Sequence, residues 1–516
     1  MKRICVAWCF LVVCSLLSSV KGQENKSTEL RYPVLTKHLV IASPDNQGFP
    51  VTMSGAVPVV VNTYHTGSPT KEVSYSCLVD GKRLVNNKKL TQKSDWSWSD
   101  ILYLTNRPYG KTITIRVKAT YKNGEKIEKE MRFTYSNRKP LVRLDNEWTN
   151  LRGDAGHAGI NETNLTPPLK MAWTSHIGAN IFLASPIVYQ HKVFVASTDK
   201  GLKGKGCIYA LDSQTGNLQW KYQIENAIRN TIVAESENIY AQTTQGSIIA
   251  IKASDGSLSW GRQLHVNGST ALIEGLVAAN GVVYAGSGEG LCALDARSGD
   301  VIWENNAWEQ GEGSSSTLTI GKGILVSSSQ SQGLYGNDAE TGELRWRIDR
   351  QEVADRGSTP ALHKDLLYLL SGHSLFIIQP ETGNIIVRKE YPFNLNTLSA
   401  PLMTDKLIVF GSATEGLIAI DRETLEVAWK VATGPALIHT SYVGDPSSTV
   451  ESSPVLSGHT IYFGASDGCL YGVNEENGEV VWKHTAGAPL FGSVAVSGNA
   501  LFAVDFGGNV YAFIAE

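Results

Sequence analysis

The side chains best suited to chemistry lie in loops between repeated strand-like segments. The longest loop, VATGPALIHTSYVGDPSSTVESS, carries His439, Tyr442, Asp445 and Glu451, and other loops contribute Arg229, Asn230, Glu274, Glu312 and Arg356. Mixed charge gathered on one rim suits a polar ligand, a sugar or a peptide. His439 with Glu451, or Glu274 with Glu312, has the residue types for acid/base work. Glycoside cleavage needs two carboxyl groups roughly 5 to 10 Å apart, and His or Tyr serves in other saccharide-cleaving sites. Taken singly, each of these residues also fits an ordinary solvated loop. Hydrolase serine elbows, H-E-x-x-H, phosphate loops and dinucleotide fingerprints are absent in the strand–turn–helix context they require. The Cys spacings do not suit zinc, and no metal site is expected.

The elements that position these loops follow from a cassette that recurs every forty-odd residues. It reads ALDSQTGNLQW ending at Trp220, AIKASDGSLSW at Trp260, ALDARSGDVIW at Trp303, GNDAETGELRW at Trp346, AIDRETLEVAW at Trp429 and GVNEENGEVVW at Trp482. A degenerate copy, IIQPETGNIIV, ends at Val387. The period fits one four-stranded blade of a β-propeller. In the first repeat SPIVYQ, KVFVAS, CIYALD and NLQWKYQI read as its four strands. At the C-terminus SVAVSG, ALFAVD and VYAFIA supply only three. The missing outer strand has a candidate upstream in PLKMAWTSHI, which holds Trp173 with no cassette before it. The count is therefore eight blades, closed by pairing the two ends of the propeller.

Within a cassette the glycine suits a turn with positive φ, and the preceding Asp or Asn suits hydrogen bonding to its own turn. Leu425 in the glycine position predicts a variant turn. Trp173, Trp220, Trp260, Trp303, Trp346, Trp429 and Trp482 are expected to be structural, each ring docking on the adjoining blade beside small residues such as Ala210, Ala250, Ala293 and Ala419.

Upstream of the repeats the texture changes. Ile113, Ile115, Val117, Ala119 and Tyr121 alternate as one strand face, and Asn123-Gly124 marks a hairpin leading to Met131, Phe133 and Tyr135. About a hundred such residues predict an immunoglobulin- or fibronectin-like β-sandwich, without the paired cysteines of a true immunoglobulin domain. The expected organisation is a signal peptide at 1–22, the sandwich at 30–140, a lead-in linker at 141–168 covering the propeller edge, and the propeller at 169–516. Asp154 and His157 in the lead-in make a weak metal pair.

The cassette, A-x-D-x-x-T-G-x-x-x-W in its fullest form, resembles the tryptophan-docking motif of the pyrroloquinoline quinone (PQQ) repeat superfamily, over about Trp148 to Glu516. That superfamily includes quinoprotein dehydrogenases, the propeller lipoprotein of the bacterial outer-membrane barrel-assembly machinery, and many secreted PQQ-like proteins, so the resemblance implies the fold and leaves function open. The quinoprotein alcohol dehydrogenases imply a vicinal disulfide over the cofactor and calcium held by Glu, Asn and Asp. Here no two cysteines adjoin. The sandwich and the lead-in EWTNLRGDAGHAG also look like secreted proteins in which such modules follow a calcineurin-like phosphoesterase, whose metal motifs are absent.

With 46 Lys and Arg against 49 Asp and Glu, interspersed, there is no basic footprint for nucleic acid. Lys2 and Arg3, the apolar run from Ile4 to Val20 and the site after Gly22 read as a secretory signal, with lipid attachment at Cys14 as the rival processing. No later stretch is apolar and long enough to span a bilayer. Cys77, Cys207, Cys292 and Cys469 are expected to be buried fillers rather than disulfides. The resulting expectation is a secreted, periplasmic or cell-surface bacterial protein, non-enzymatic, without cofactor, binding an envelope protein or glycan. A saccharide-cleaving hydrolase or lyase and a PQQ/calcium oxidoreductase are the alternatives.

Overall fold

The computed structural model describes residues 37–44, 52–198, 204–264, 275–286, 290–305, 316–329, 333–353, 357–395, 398–438 and 447–515. The leader, with Gly22 and Cys14, lies outside them. The described residues are all-β: their elements are strands, and no helix among them is long and apolar enough to cross a membrane.

Two sheets form the N-terminal unit. One orders the strands His38–Ser43, Val57–Tyr64, Ser97–Leu102 and Thr91–Gln92; the other orders Thr52–Met53, Lys126–Tyr135, Thr112–Tyr121, Thr70–Val79 and Lys82–Lys89. Their inner faces share one apolar core, in which Val59, Val61 and Trp98 meet Tyr75, Ile115, Val117 and Phe133. The alternation read from sequence holds: Ile113, Ile115, Val117, Ala119 and Tyr121 are all buried while their neighbours are not. The outermost strand, Lys82–Lys89, is exposed along nearly its whole length and carries Lys82, Arg83, Lys88 and Lys89, charges that discourage edge-to-edge pairing.

The described repeat region forms eight sheets of four antiparallel strands in sequence order, except that the seventh gains the short parallel strand Ile160–Asn161 and the last takes its outer strand from upstream. The first comprises Ile187–Tyr189, Lys192–Thr198, Gly206–Asp212 and Leu218–Ile224. In the eighth, the C-terminal strand Asn509–Ile514 takes Lys170–His176 from upstream as its outer partner, with Trp173 opposite Ala512.

Each tryptophan ties its sheet to the next. The indole N–H donates to the backbone carbonyl after the Asp-type residue of the following cassette: Trp173 to Ser213 at 2.8 Å, Trp220 to Ala253 at 3.2 Å, Trp260 to Ala296 at 3.1 Å, Trp303 to Ala339 at 3.0 Å, Trp346 to Pro380 at 2.6 Å and Trp429 to Glu475 at 3.0 Å. Trp482 donates to Leu169, just before the strand from upstream, at 3.3 Å. The ring lies over the next turn: a Cβ on Gly216 would fall 2.4 Å from the Trp173 ring, and one on Gly342 2.4 Å from Trp303. The residue opposite each Trp on its own sheet is Ala or Gly.

One seam departs from this pattern at three positions together. Val387 replaces the Trp, Ile377 stands opposite it, and Leu425 replaces the next glycine. Val387 and Leu425 pack against one apolar cluster, and the Tyr391 hydroxyl donates to the Leu425 carbonyl at 3.1 Å. The turn itself is unchanged, contrary to the expectation of a variant: Leu425 holds a φ of 58° and its N–H donates to Asp421 at 2.9 Å, as the glycine N–H does to the Asp-type residue elsewhere. Three branched side chains thus fill the volume that an indole occupies at other seams.

The lead-in is an axial plug rather than an edge cover. Between residues 148 and 161 it bonds to the first strand of each sheet, or the residue just before it. Trp148 exchanges backbone hydrogen bonds with Val188, Thr149 accepts from Ala234, and the Asn150 amide pairs with Ala278. Ala155 accepts from Ile320, Gly156 from Leu362 and Gly159 from Leu456. Arg152 donates to Pro401 at 2.8 Å and Asn161 to Val496 at 2.8 Å. The first strands of eight sheets converge on fourteen residues, so their inward edges find partners that water would otherwise supply.

The N-terminal unit docks on the seventh and eighth sheets through polar contacts. The Asn62 amide donates to Ala486 at 2.6 Å and to buried Asp505 at 3.1 Å, and Ser94 donates to Gly507 at 2.6 Å. His38 Nε2 meets the Gly487 carbonyl at 2.6 Å; on the propeller side His176 Nε2 meets that of Gly507 at 2.8 Å. Burial lowers both imidazoles to about 4, with Lys129 and Lys93 adding in the same direction.

Two predictions follow from this architecture. Trp303→Ala should cost about 3–5 kcal/mol by urea unfolding. Val387→Trp alone should cost about 1–3 kcal/mol through overpacking, and adding Ile377→Ala with Leu425→Gly should recover it. A tolerated single change would disprove the shared-volume account. The second concerns pH. His38 and His176 are neutral when folded and titrate near 6.5 when unfolded, so their contribution is present above that value and lost as pH falls from about 6.5 through about 4, on the order of 3 kcal/mol each over that whole interval. Asp505 is raised by burial, so its effect has the opposite sign and favours stability at lower pH. The gap between thermal midpoints at pH 7 and 5 should narrow when both histidines are changed to Asn, with buried His157 and partly buried His363 carrying part of what remains.

Candidate functional site

The loops entering the first strands gather around a small axial cavity of about 30 Å³. Leu151 of the plug lines it, together with Asn230, Thr317, Thr359, Leu398 and Glu451 among others. Such a volume holds one or two water molecules.

Around the cavity runs a belt of hydroxyls that accept backbone N–H groups from neighbouring sheets. Ala400 N–H donates to Ser453 Oγ at 2.8 Å, Ser453 N–H to Ser493 Oγ at 3.1 Å, Ser493 N–H to Ser185 Oγ at 2.9 Å, and Ser185 N–H to Thr231 Oγ1 at 3.0 Å. On the far side Thr317 N–H donates to Thr359 Oγ1 at 3.0 Å. Each of these hydroxyls accepts a backbone N–H from a neighbouring sheet while its residue lines or borders the cavity. Their signal stood in the sequence, in SPIVY, TIVAE, TPALH, SPVLS and SVAVS: a Ser or Thr two residues before each first strand. Gly275 occupies that place in the third sheet, where a Cβ would fall 2.3 Å from Thr317 Oγ1.

Of the eight candidate side chains, Arg229, Asn230 and Glu451 are described. Glu274, Glu312, Arg356, His439 and Tyr442 lie outside the described residues, as does Asp445. Glu451 is only 2% exposed, and its Oε2 accepts the Leu398 N–H at 3.1 Å. Asn230 lines the same cavity, and its Oδ1 accepts from Thr231 N–H at 2.7 Å and the Thr317 hydroxyl at 3.4 Å. Arg229 is 6% exposed and lays its guanidinium over Phe182 at 5.3 Å. Buried among packed groups, Arg229 and Glu451 are not solvated loop charges. The Glu274–Glu312 pair and the His439 end of the other pair fall outside the described residues.

Phe182 begins an aromatic run that reaches the N-terminal unit. It meets Phe491 at 5.7 Å, Phe491 meets Phe506 at 6.0 Å, and Phe506 meets Trp96 at 6.1 Å. Trp96, Leu437, Ile438, Ala488 and Phe491 form one buried cluster with Leu183 packed against it. Phe491 and Leu183 also line the axial cavity, so the N-terminal unit covers part of the rim on which the candidate residues stand.

Asp154 and His157 do not form a metal pair. The imidazole is fully buried, with Nδ1 on the Leu151 carbonyl and Nε2 on that of Leu318, both at 2.8 Å. Asp154 accepts the N–H groups of Gly156 and Ala158. Among the described residues no cluster of three or more His, Cys, Asp or Glu side chains could hold a metal. Among the described residues Cys77, Cys207, Cys292 and Cys469 are buried and form no disulfide, and burial raises Cys77 to about 11 and Cys469 to about 12, so both stay thiols.

PQQ is a tricyclic quinone and needs a cleft of the few hundred Å³ usual for such ligands. Among the described residues the axial cavity falls short by about tenfold and does not fit the cofactor.

Comparison with known proteins agrees with the sheet pattern. The outer membrane protein assembly factor BamB of Alteromonas naphthalenivorans is 27% identical over 314 residues, 56% of this chain and 64% of that protein, so just under two thirds of the relative is spanned. The crystal structure of BamB from Moraxella catarrhalis is covered completely by 67% of this chain, with a TM-score of 0.53 and 17% identity. Quinohemoprotein alcohol dehydrogenase from Comamonas testosteroni gives a TM-score of 0.58 at 14% identity, covering 72% of this chain and 81% of the enzyme. An outer membrane protein assembly factor and an alcohol dehydrogenase thus share the fold. A family model described as "Outer membrane protein assembly factor BamB" matches residues 170–335, 267–394 and 330–516, and with the repeated Trp latch this makes the chain a member of that family of PQQ-like β-propellers.

Proposed function

We propose that this chain is a non-enzymatic scaffold of the bacterial envelope that binds a protein partner in outer-membrane protein assembly. Its body is an eight-bladed propeller closed by the upstream strand. The reading of closure rests on the pairing of Lys170–His176 with Asn509–Ile514 and on the hydroxyl belt that passes from Ser493 to Ser185. The preceding unit is an immunoglobulin-like sandwich that fixes the orientation of the propeller and covers part of its rim. Export by the predicted signal peptide puts the chain in the periplasm or at the cell surface.

The observation that carries a binding role over catalysis is the filled axis. The plug occupies one end of the convergent first strands, the hydroxyls serve the backbone, and the remaining space is water-sized. What remains for recognition is the outer surface. There the outer strands of successive sheets each display an apolar residue, among them Leu218, Leu258, Ile302, Leu344 and Ile386, each about half exposed.

Deleting the gene in its host should lower the amount of folded outer-membrane barrel proteins, measured by heat-modifiability on gels, and the full chain should restore it. Unchanged barrel levels would refute the assembly role. A separate measurement addresses the enzyme alternative: PQQ with calcium should leave the thermal midpoint of the purified chain where it is. A clear rise would reinstate the oxidoreductase reading.

A further inference from the structure

The propeller turns on which the N-terminal unit rests are held by two histidines that fit only as neutral rings. His38 Nε2 faces the Gly487 carbonyl at 2.6 Å, so it carries the proton and donates. Its Nδ1 is buried and has no hydrogen-bond partner among the described residues. On the propeller side His176 is committed at both nitrogens: Nε2 donates to the Gly507 carbonyl at 2.8 Å, and Nδ1 accepts the Gly178 N–H at 2.8 Å. Ser94 of the N-terminal unit donates to the same Gly507 carbonyl, and a Cβ on Gly507 would fall 3.4 Å from Trp96 Cβ. One histidine thus bridges the units, and the other holds the turn they share.

A second proton has no place on either ring. On His38 it would sit on Nδ1, which faces no acceptor; on His176 it would set N–H against the Gly178 N–H and break that bond. Burial already disfavours charge on both rings, and Lys129 near His38 and Lys93 near His176 repel an added one. The carboxylates on the elements packed there are engaged elsewhere. Glu125 pairs with Lys37 and His65, Asp467 accepts from Gly434, Cys469 and Tyr471, and Asp505 accepts from Asn62, Asn509 and Tyr511. The Trp96 ring, 5.6 Å from the His38 ring, is a weaker partner for a cation than an acceptor atom would be. Burial raises Asp505, whose protonation favours docking and so opposes the histidines. The plug is built differently: His157 has a carbonyl at each nitrogen, so a second proton there finds an acceptor.

We propose that the N-terminal unit is an acid-released cover of the propeller rim: protonation of His38 and His176 detaches it from the turns at 486–488 and 505–508 while the propeller stays folded. Release parts Trp96 from Leu437, Ile438, Ala488 and Phe491 and so uncovers an apolar surface that the docked unit closes. The inference rests on the docking contacts alone and does not depend on the assembly role proposed above.

The test is small-angle X-ray scattering of the purified full chain at pH 7 and 5, with far-UV circular dichroism on the same samples. Each histidine should weaken docking by at least about tenfold between these pH values, so the maximum dimension should grow at pH 5 with the strand spectrum unchanged. His38→Gln keeps an N–H for the Gly487 carbonyl and takes no proton, so it should stay compact at pH 5. Lys129→Glu changes only an exposed charge and should move the release to lower pH. A wild-type chain that stays compact at pH 5 overturns the proposal. So does expansion accompanied by loss of the strand signal, or release at the wild-type pH in both variants.

Discussion

Backbone edges that converge on an axis must find hydrogen-bond partners, and this constraint organises the molecule. Each first strand has one neighbour in its own sheet and an open edge facing inward. Those edges are too crowded for bulk water and too far apart to pair with one another. The chain meets the demand with two devices. A peptide segment passes from sheet to sheet at one level, and hydroxyls do so at another. Both fill space in satisfying donors, and together they leave only a water-sized space among the described residues at the centre.

The perimeter is held by a second device, the indole that bridges each seam. Its volume, its N–H and the glycine beneath it act as one unit, which explains why the three positions change together. At the Val387 seam a branched residue stands on each of the three sites, and the phenol of Tyr391 donates across it to the Leu425 carbonyl, not to the carbonyl an indole reaches at the other seams. The backbone there accepts a leucine at positive φ, a local cost offset by apolar packing. That seam has less rigid cross-linking than its neighbours, so subglobal opening is expected to begin there before the rest of the ring.

The N-terminal unit joins these two themes. It packs against the loops of the last two sheets, where the chain's distant parts are stitched together, and its Trp96 extends an aromatic path to the cavity wall. Its interface combines that apolar contact with a buried carboxylate and carbonyl-bound imidazoles, and the latter make it respond to pH.

Much of this architecture was legible in the residues alone. The cassette period, the truncated final repeat and the solitary Trp173 determined the sheet count and the pairing of distant ends, because an indole needs a glycine beneath it and a four-stranded sheet needs a fourth strand. Alternation determined which face of Thr112–Tyr121 is buried. Only tertiary structure decided the rest. Residues 148–161 have no periodicity, and their role depends on reaching eight strands scattered over three hundred positions. Likewise the burial of Arg229 and Glu451 is a property of neighbours that are remote in sequence, and a loop's polarity carries no information about what covers it. The belt of Ser and Thr lay between these cases: visible as a repeated residue, yet without meaning until the sheets brought each hydroxyl to the next backbone N–H.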